Sequence, residues 1–569
     1  MHRMRLSFRP LLLVLATVLF TQPALALNAI QVENALPGTP AATWDIAGIG
    51  DASIQGFATD ISVNRGGTIT FKINTNATAY HIDIYRLGWY QGDGARLQGS
   101  GVVTATLPQT QPAPLTDAPT GLIDCGNWAE SAHWDVPALA VSGIYIARLV
   151  RDDTQGASHI AFIVRDDAST SGLFFKTSDA TWQAYNGYGG NSFYVGTAPR
   201  ANGNAAKISY NRPFNTRAGG GGSGSSEDWL FNAEYPMIRW LESNGYDVSY
   251  TTDIDVDRSP ARLLQHAVFM SVGHDEYWSG GERAAVEAAR DAGVHMAFFS
   301  GNEVYWKTRW EPSIDGSSTA YRTLVCYKEG TLGENNCGGR CDPLAGAWTG
   351  LWRDGCAFPT LDGCRPENAL TGQISWMGTS SAITVPDTYK DLRFWRNTAV
   401  ATLGTGASLT LPPETLGYEW DQEQLPSSYP SRRIKLSSTN NSGQTHHLSL
   451  YRHASGALVF GAGTVQWSWG LDGTHDRGST PPSLAMQQAT VNLFADMGVD
   501  AGVGSLQPGL VSAIASTDAL APSSVIGFPL AAASLPSGNA VVITGTAADA
   551  GGGVVAGVEV SVDGGTTWQ

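Results

Sequence analysis

The stretch Ser271–Ser279, SVGHDEYWS, decides how this chain is read. It closes a short apolar run, AVFMSV from Ala267, which predicts a strand buried on both faces. The run ends at Gly273 and delivers His274, Asp275 and Glu276 side by side. Ser279 then reads as the N-cap of a helix over GGERAAVEAARDAG, with Glu282 in its first turn and Gly293 beyond its end. In an open α/β sheet ligands bind beyond the carboxyl ends of the strands, so three titratable groups sit where such a sheet places its chemistry.

Outward from this stretch, strands and helices alternate. GLFFKTS and YDVSYTT precede it as strands, MIRWLESNG and SPARLLQ as helices, and VHMAFFSG follows as the next strand. This spacing predicts parallel βαβ units and a flavodoxin-like α/β domain over 168–499, closed by a helix at QQATVNLFADMG. Loops dense in aromatics, Gly and Asn, TWQAYNGYGGNSFY and KISYNRPF, precede the first long helix, and Gly219–Ser226 reads as a flexible surface insertion. Residues 27–167 alternate apolar and polar positions between Gly, Asn and Asp turns, the pattern of an immunoglobulin-like β-sandwich. An Ala/Ser/Pro-rich linker over 500–537 leads to NAVVITGTAAD and AGVEVSVDGGTTWQ, read as part of a second sandwich over 538–569.

Met1–Ala26 has basic residues, the apolar segment LLLVLATVLF and an Ala24-Leu25-Ala26 cleavage site. It is expected to be a secretory signal, giving a secreted or periplasmic protein without a membrane span after cleavage. The net charge of −16, 51 acidic against 35 basic residues, argues against nucleic acid as a partner. Export permits disulfides, and Cys326, Cys337, Cys341, Cys356 and Cys364 cluster while Cys125 stands apart. Loop-stapling disulfides are favoured over zinc, because Cys337-x3-Cys341 lacks a matching second pair. Oligomeric state is left open, and a homo-oligomer is compatible with the sequence.

Nucleophile motifs are missing: no Gly-x-Ser-x-Gly follows an apolar strand, and no Cys sits at a strand-to-helix turn. What remains is oxygen chemistry. Glu276 ends one strand, Asn302 and Glu303 end the next, and Tyr185 and Tyr210 lie in the two aromatic loops. Phenolate and carboxylate oxygens are hard donors that suit a highly charged metal such as Fe(III).

FNAEYPMIRWLESNGYDVSYTTDIDVDR, SVGHDEYWS and FFSGNEVYWK together resemble the catalytic domain of the N,N-dimethylformamidase large (beta) subunit family. TWQAYNGYGG, SYNRPF, DPLAGAWTGLWRD, GYEWD and GALVFGAGTVQWSWGLD extend the resemblance, as does IYRLGWYQGDGAR in the sandwich. It implies a flavodoxin-like, class I glutamine amidotransferase-like domain holding one mononuclear iron on two tyrosines and one glutamate. Carried over motif by motif, the metal ligands are Glu276, Tyr185 and Tyr210, with Tyr188 and Tyr194 as neighbouring candidates. His274 and Asn302 are active-site residues, and Glu419 serves as an acid/base carboxylate. The expected function is hydrolysis of a small N-substituted amide by metal-activated water. The alternative is a non-catalytic exported surface protein that binds carbohydrate through tryptophans of DPLAGAWTGLWRD and TVQWSWGLD.

Overall fold

The computed structural model describes residues 26–200, 202–218, 226–330, 341–354, 365–374, 378–424, 428–518, 520–551 and 553–565. Residues 1–25 of the expected signal segment, residues 219–225 of the Gly/Ser run, and Cys337, Cys356 and Cys364 lie outside them. The chain is predominantly β, with several sheets and few helices.

The site is carried by one seven-stranded sheet. Its elements in chain order are β1 (Leu173–Lys176), α1 (Asp179–Ala184), α2 (Glu234–Ser243), β2 (Val248–Thr251), α3 (Asp253–Arg258), β3 (Val268–Gly273), α4 (Gly280–Asp291), β4 (His295–Ser300), β5 (Ile434–Lys435), β6 (Ser449–Arg452), β7 (Leu458–Gly461) and α5 (Leu484–Asp496). The order is β2-β1-β3-β4-β7-β6-β5; the first five are parallel, and at one edge β6 pairs antiparallel with β7 and β5 antiparallel with β6.

Alternate residues of the parallel strands serve two cores, as the period of two requires. Phe175, Met270, Val272, Phe299 and Phe460 join the large core with Ile238 and Leu241 of α2 and Phe494 of α5. Phe174, Phe269, Met296, Phe298 and Val459 pack with Val286 and Ala289 of α4. Strands covered on both faces read as continuous apolar runs, which is why AVFMSV and VHMAFFSG were legible. Regular alternation fails between β4 and β7: the chain leaves the sheet for a long excursion, returns through β5 and β6, and only then adds the fifth parallel strand. The result is a mixed edge instead of the parallel βαβ units expected throughout: β6 alone runs against the sheet, and β5, antiparallel to β6, points the same way as the first five strands.

N-terminal to this, a four-stranded and a five-stranded sheet face each other around Ile69, Phe71, Ile82, Ile84, Trp134 and Phe162. The five-stranded sheet is buried on its other face too, where Tyr85, Leu87, Ile144, Ile146 and Ile163 join the large core. Across this contact Arg86 donates to both carboxylate oxygens of Glu242 in α2, at 2.8 and 2.7 Å, with both side chains fully buried. The sandwich is therefore packed into the central domain rather than hung beside it. Residues 27–53 differ from the all-β expectation: the helix Ala29–Asn34 packs on α2, where Asn34 donates to Glu242.

Toward the C-terminus, Ser523–Phe528 pairs with Thr544–Ala548. The first of these strands falls in the expected linker, and AGVEVSV forms no strand. Nearly every residue of the hairpin is exposed, the apolar Val525, Ile526 and Phe528 included.

Cys341 is disulfide-bonded, as the clustered cysteines suggest. Cys125 is a buried free thiol, and Cys326 is buried with its sulfur 3.9 Å from the Thr349 carbonyl. Trp348, Trp352, Trp467 and Trp469 are each at most 2 % exposed, so the stacking surface expected on them is instead core. No helix among the described residues is long and apolar enough to cross a membrane.

Candidate functional site

β3 ends at Gly273, whose φ of +90° is open to glycine at little cost. A side chain there would also press on Ala233 and Glu234. The tight turn throws His274, Asp275 and Glu276 across the carboxyl edge of the sheet. The chain then re-forms a short strand, Tyr277–Ser279, beside the start of Trp306–Glu311. Ser279 caps α4 as the sequence predicts, with a reciprocal capping box to Glu282.

Glu276 is the focus. Tyr194 donates to both of its carboxylate oxygens at 2.8 Å, and Tyr185 to one at 3.0 Å. The two phenol rings stack at 4.2 Å, 20° from parallel. Tyr277 donates to the Tyr194 oxygen at 2.7 Å, and the Lys328 ammonium lies 3.6 Å from the centre of the Tyr194 ring. Burial pushes the Glu276 carboxyl up to about 7, against the opposing pull of His274. Burial, with Glu276 close by, also holds the Tyr185 and Tyr194 phenols well above their usual range.

His274 is gripped from both ends. Its Nδ1 lies 2.9 Å from Asp228 and 3.1 Å from the Tyr418 hydroxyl. Its Nε2 lies 2.8 Å from Glu419 Oε2 and 3.5 Å from Glu276 Oε2, but without hydrogen-bond alignment to either. Burial opposes charge on the imidazole, yet Glu419, Glu276 and Asp228 together hold it well above its ordinary value. Burial pushes Asp228 up to about 6.

The next strand supplies the far wall. Asn302 and Val304 sit at φ of +47° and +53°, a region non-glycine residues rarely occupy and one that marks local strain. This turn lets the Asn302 amide donate to Glu419 at 2.9 Å and its backbone N–H to Asp421 at 3.1 Å.

Five of the six expected residues thus meet: Tyr185, His274, Glu276, Asn302 and Glu419. Tyr210 does not. It donates at 2.8 Å to Asp179, fully buried, and its electrostatic neighbours are Asp179, Asp253 and Glu282. Tyr194, from the longer aromatic loop, stands at Glu276 where Tyr210 was expected. Glu303 belongs with Asp275, Ser271 and Lys176 rather than with Glu276. Asp228, Tyr418, Tyr277 and Lys328 were not singled out from the sequence. GYEWD carried Tyr418 beside Glu419, but Asp228 follows a Gly/Ser run and bears no local mark.

No cluster of three His, Cys, Asp or Glu among the described residues is arranged for a metal. The expected donor set contains only one such residue, Glu276, beside two phenols. The Tyr185 and Tyr194 hydroxyls already converge on the Glu276 carboxylate, giving one buried set of hard donors from two phenols and a carboxylate. That set fits Fe(III) in donor chemistry.

Together these define a β-rich chain with a buried carboxylate–phenol–imidazole site at the carboxyl edge of parallel strands. The chain belongs to the family described as N,N-dimethylformamidase beta subunit-like, C-terminal, whose model matches residues 81–480, and is in that sense a dimethylformamidase-like hydrolase. No curated protein matches it significantly. Similar solved structures include domain 1 of VCBP3 from Branchiostoma floridae, 12% identical over 21% of this chain and 98% of that one, with a TM-score of 0.13. Another is the cellulose-active LPMO CelS2 in complex with copper, 18% identical over 18% of this chain and 50% of that one, with a TM-score of 0.12.

Proposed function

We propose that this chain is an exported, iron-dependent hydrolase of a small N-substituted amide, built on a flavodoxin-like core in which Glu276, Tyr185 and Tyr194 hold the metal. The observation that carries this is the convergence of two phenol hydroxyls on one buried carboxylate, within the span of the family match. The order β2-β1-β3-β4-β7 of the parallel strands supports the flavodoxin-like reading. The composition of Met1–Ala26 supports export.

Bound Fe(III) supplies Lewis acidity toward a carbonyl oxygen and acidifies a water. The chain's own residues do the rest. Asp228 fixes the His274 ring through Nδ1 and leaves Nε2 facing Glu276 and Glu419, where it takes up and returns a proton. The Glu419 side chain is 16% exposed, the most open of the carboxylates around His274, and relays protons between Nε2 and solvent. Asn302 Nδ2, now on Glu419, is the neutral donor for negative charge developing on the amide oxygen. Stacked Tyr185 and Tyr194, with Tyr418 across the imidazole, exclude water from Glu276 and strengthen each interaction there.

The test is amine release from N,N-dimethylformamide, N-methylformamide and N-methylacetamide by iron-containing protein. Turnover of at least one, lost in Glu276→Gln, supports the reading. Failure of the iron-loaded protein on all three overturns it for small N-alkyl amides.

A further inference from the structure

A second site lies at the far end of the short strand that leaves Glu276. Between the N-terminus of α4 and the strand Trp306–Glu311 opens a cleft of about 420 Å³, within the range of small-molecule sites. It is separate from the hydrolase site: Glu276 precedes Tyr277–Ser279 and the cleft begins at Ser279, roughly 10 Å along an extended chain.

Three features of its lining specify a ligand. First, Trp310 and Tyr321 are half-buried, with ring centres 5.8 Å apart and planes inclined at 56°, so aromatic surface forms part of the wall. Tyr321 is held at a φ of +59°, outside the ordinary region for a non-glycine residue. Second, the charges lining the cleft balance: Lys307 and Arg309 face Asp257 and Glu311. Arg309 is already bonded to Glu311 at 2.5 Å and to Asp342 at 2.7 Å. The formal charges of these four side chains cancel. Third, polar capacity is left over. Thr308 is 1 % exposed and its hydroxyl has no hydrogen-bond partner among the described residues, nor has the Trp310 indole N–H. A threonine hydroxyl reaches a new partner by turning about χ1. Asp257 accepts from Ser279 and, at 3.3 Å, from Tyr321, and keeps further lone pairs for a ligand hydroxyl.

Aromatic faces, balanced charge and spare hydroxyl and carboxylate groups match an uncharged ring that is apolar on its C–H face and hydroxylated at its rim. We propose that this cleft is a carbohydrate-binding subsite for a neutral sugar, with Trp310 and Tyr321 as its stacking wall and Thr308 and Asp257 as hydrogen-bonding partners. It requires neither the metal nor Glu276.

The experiment is calorimetric titration of the full chain with cellobiose, maltose, xylobiose and N,N′-diacetylchitobiose, in wild type, Tyr321→Ala, Thr308→Val and Glu276→Gln. At least one sugar is expected to bind with a Kd of about 1 mM or tighter. Tyr321→Ala should weaken it about tenfold and Thr308→Val several-fold, while Glu276→Gln binds as wild type. Near-UV circular dichroism establishes that each variant is folded. Absence of binding by all four sugars at about 10 mM overturns the proposal. So does binding that survives unchanged in folded Tyr321→Ala and Thr308→Val. Loss of binding in Glu276→Gln alone would place the sugar in the hydrolase site instead.

Discussion

Asp275 and Glu276 leave the same turn after β3, both buried, and enter different surroundings. Asp275 turns inward to Lys176, which lies 2.9 Å from Oδ1 and 2.8 Å from Oδ2, and accepts from Ser271 at 2.5 Å. Lys176 also pairs with Asp253 and, at 2.8 Å, with Glu282, so one ammonium ties the ends of β1 and β3 to the starts of α3 and α4. Burial disfavours the charge on Lys176, but Asp253, Asp275 and Glu282 hold it firmly protonated. Glu276 instead meets two neutral phenols, with the imidazole 3.5 Å away and not aligned. One carboxylate is neutralised by a fixed side chain in direct contact. The other accepts phenol hydroxyls whose oxygens can serve a cation. Adjacent carboxylates thus take different partners: Asp275 is fixed in the scaffold, and Glu276 is the one that the proposed function gives the chemistry.

The largest expected effect breaks the scaffold half. Lys176→Met leaves three buried carboxylates without their shared cation and should cost about 3–5 kcal/mol of stability or prevent folding, read by thermal or urea denaturation. Glu276→Gln should do the opposite: amide turnover falls about 100-fold or more, while the melting temperature of the iron-free protein holds or rises, because a carboxylate held in an unfavourable medium is removed. If both variants lose stability alike, the division between them is wrong.

Asp228 sharpens the chemical half. With its carboxyl pushed up to about 6, protonation below that pH removes the anion that orients His274, so kcat/KM should fall toward acid with an apparent pKa near 6. Asp228→Asn should lower turnover about tenfold and abolish that acid limb. A limb that persists in the variant assigns it to another group. The smallest effect is expected from Tyr210→Phe, which loses only the bond to Asp179 and should cost about 1 kcal/mol with iron content and turnover unchanged.

Much of this edge was legible because its chemistry is local. Ser279 and Glu282 form a capping box at fixed spacing, Gly273 marks the strand end, and adjacent parallel strands bring His274, Glu276 and Asn302 to one side. The choice among tyrosines was not legible. Tyr185, Tyr194 and Tyr210 share the same loop composition, and only the packed chain assigns Tyr210 to Asp179 and Tyr194 to Glu276. Asp228 was invisible for the same reason: its partner His274 is 46 residues away. The second buried face of the sandwich was hidden too, since Tyr85, Ile144 and Ile146 read equally well as a strand at a surface.

The most direct test is iron content with visible absorption, measured side by side on wild type, Tyr194→Phe and Tyr210→Phe. The account predicts near-stoichiometric iron and a broad phenolate-to-iron band in wild type and Tyr210→Phe, both lost or strongly diminished in Tyr194→Phe. Iron and colour that survive in Tyr194→Phe but vanish in Tyr210→Phe, or a wild type that stays colourless and binds no iron on reconstitution, would contradict it.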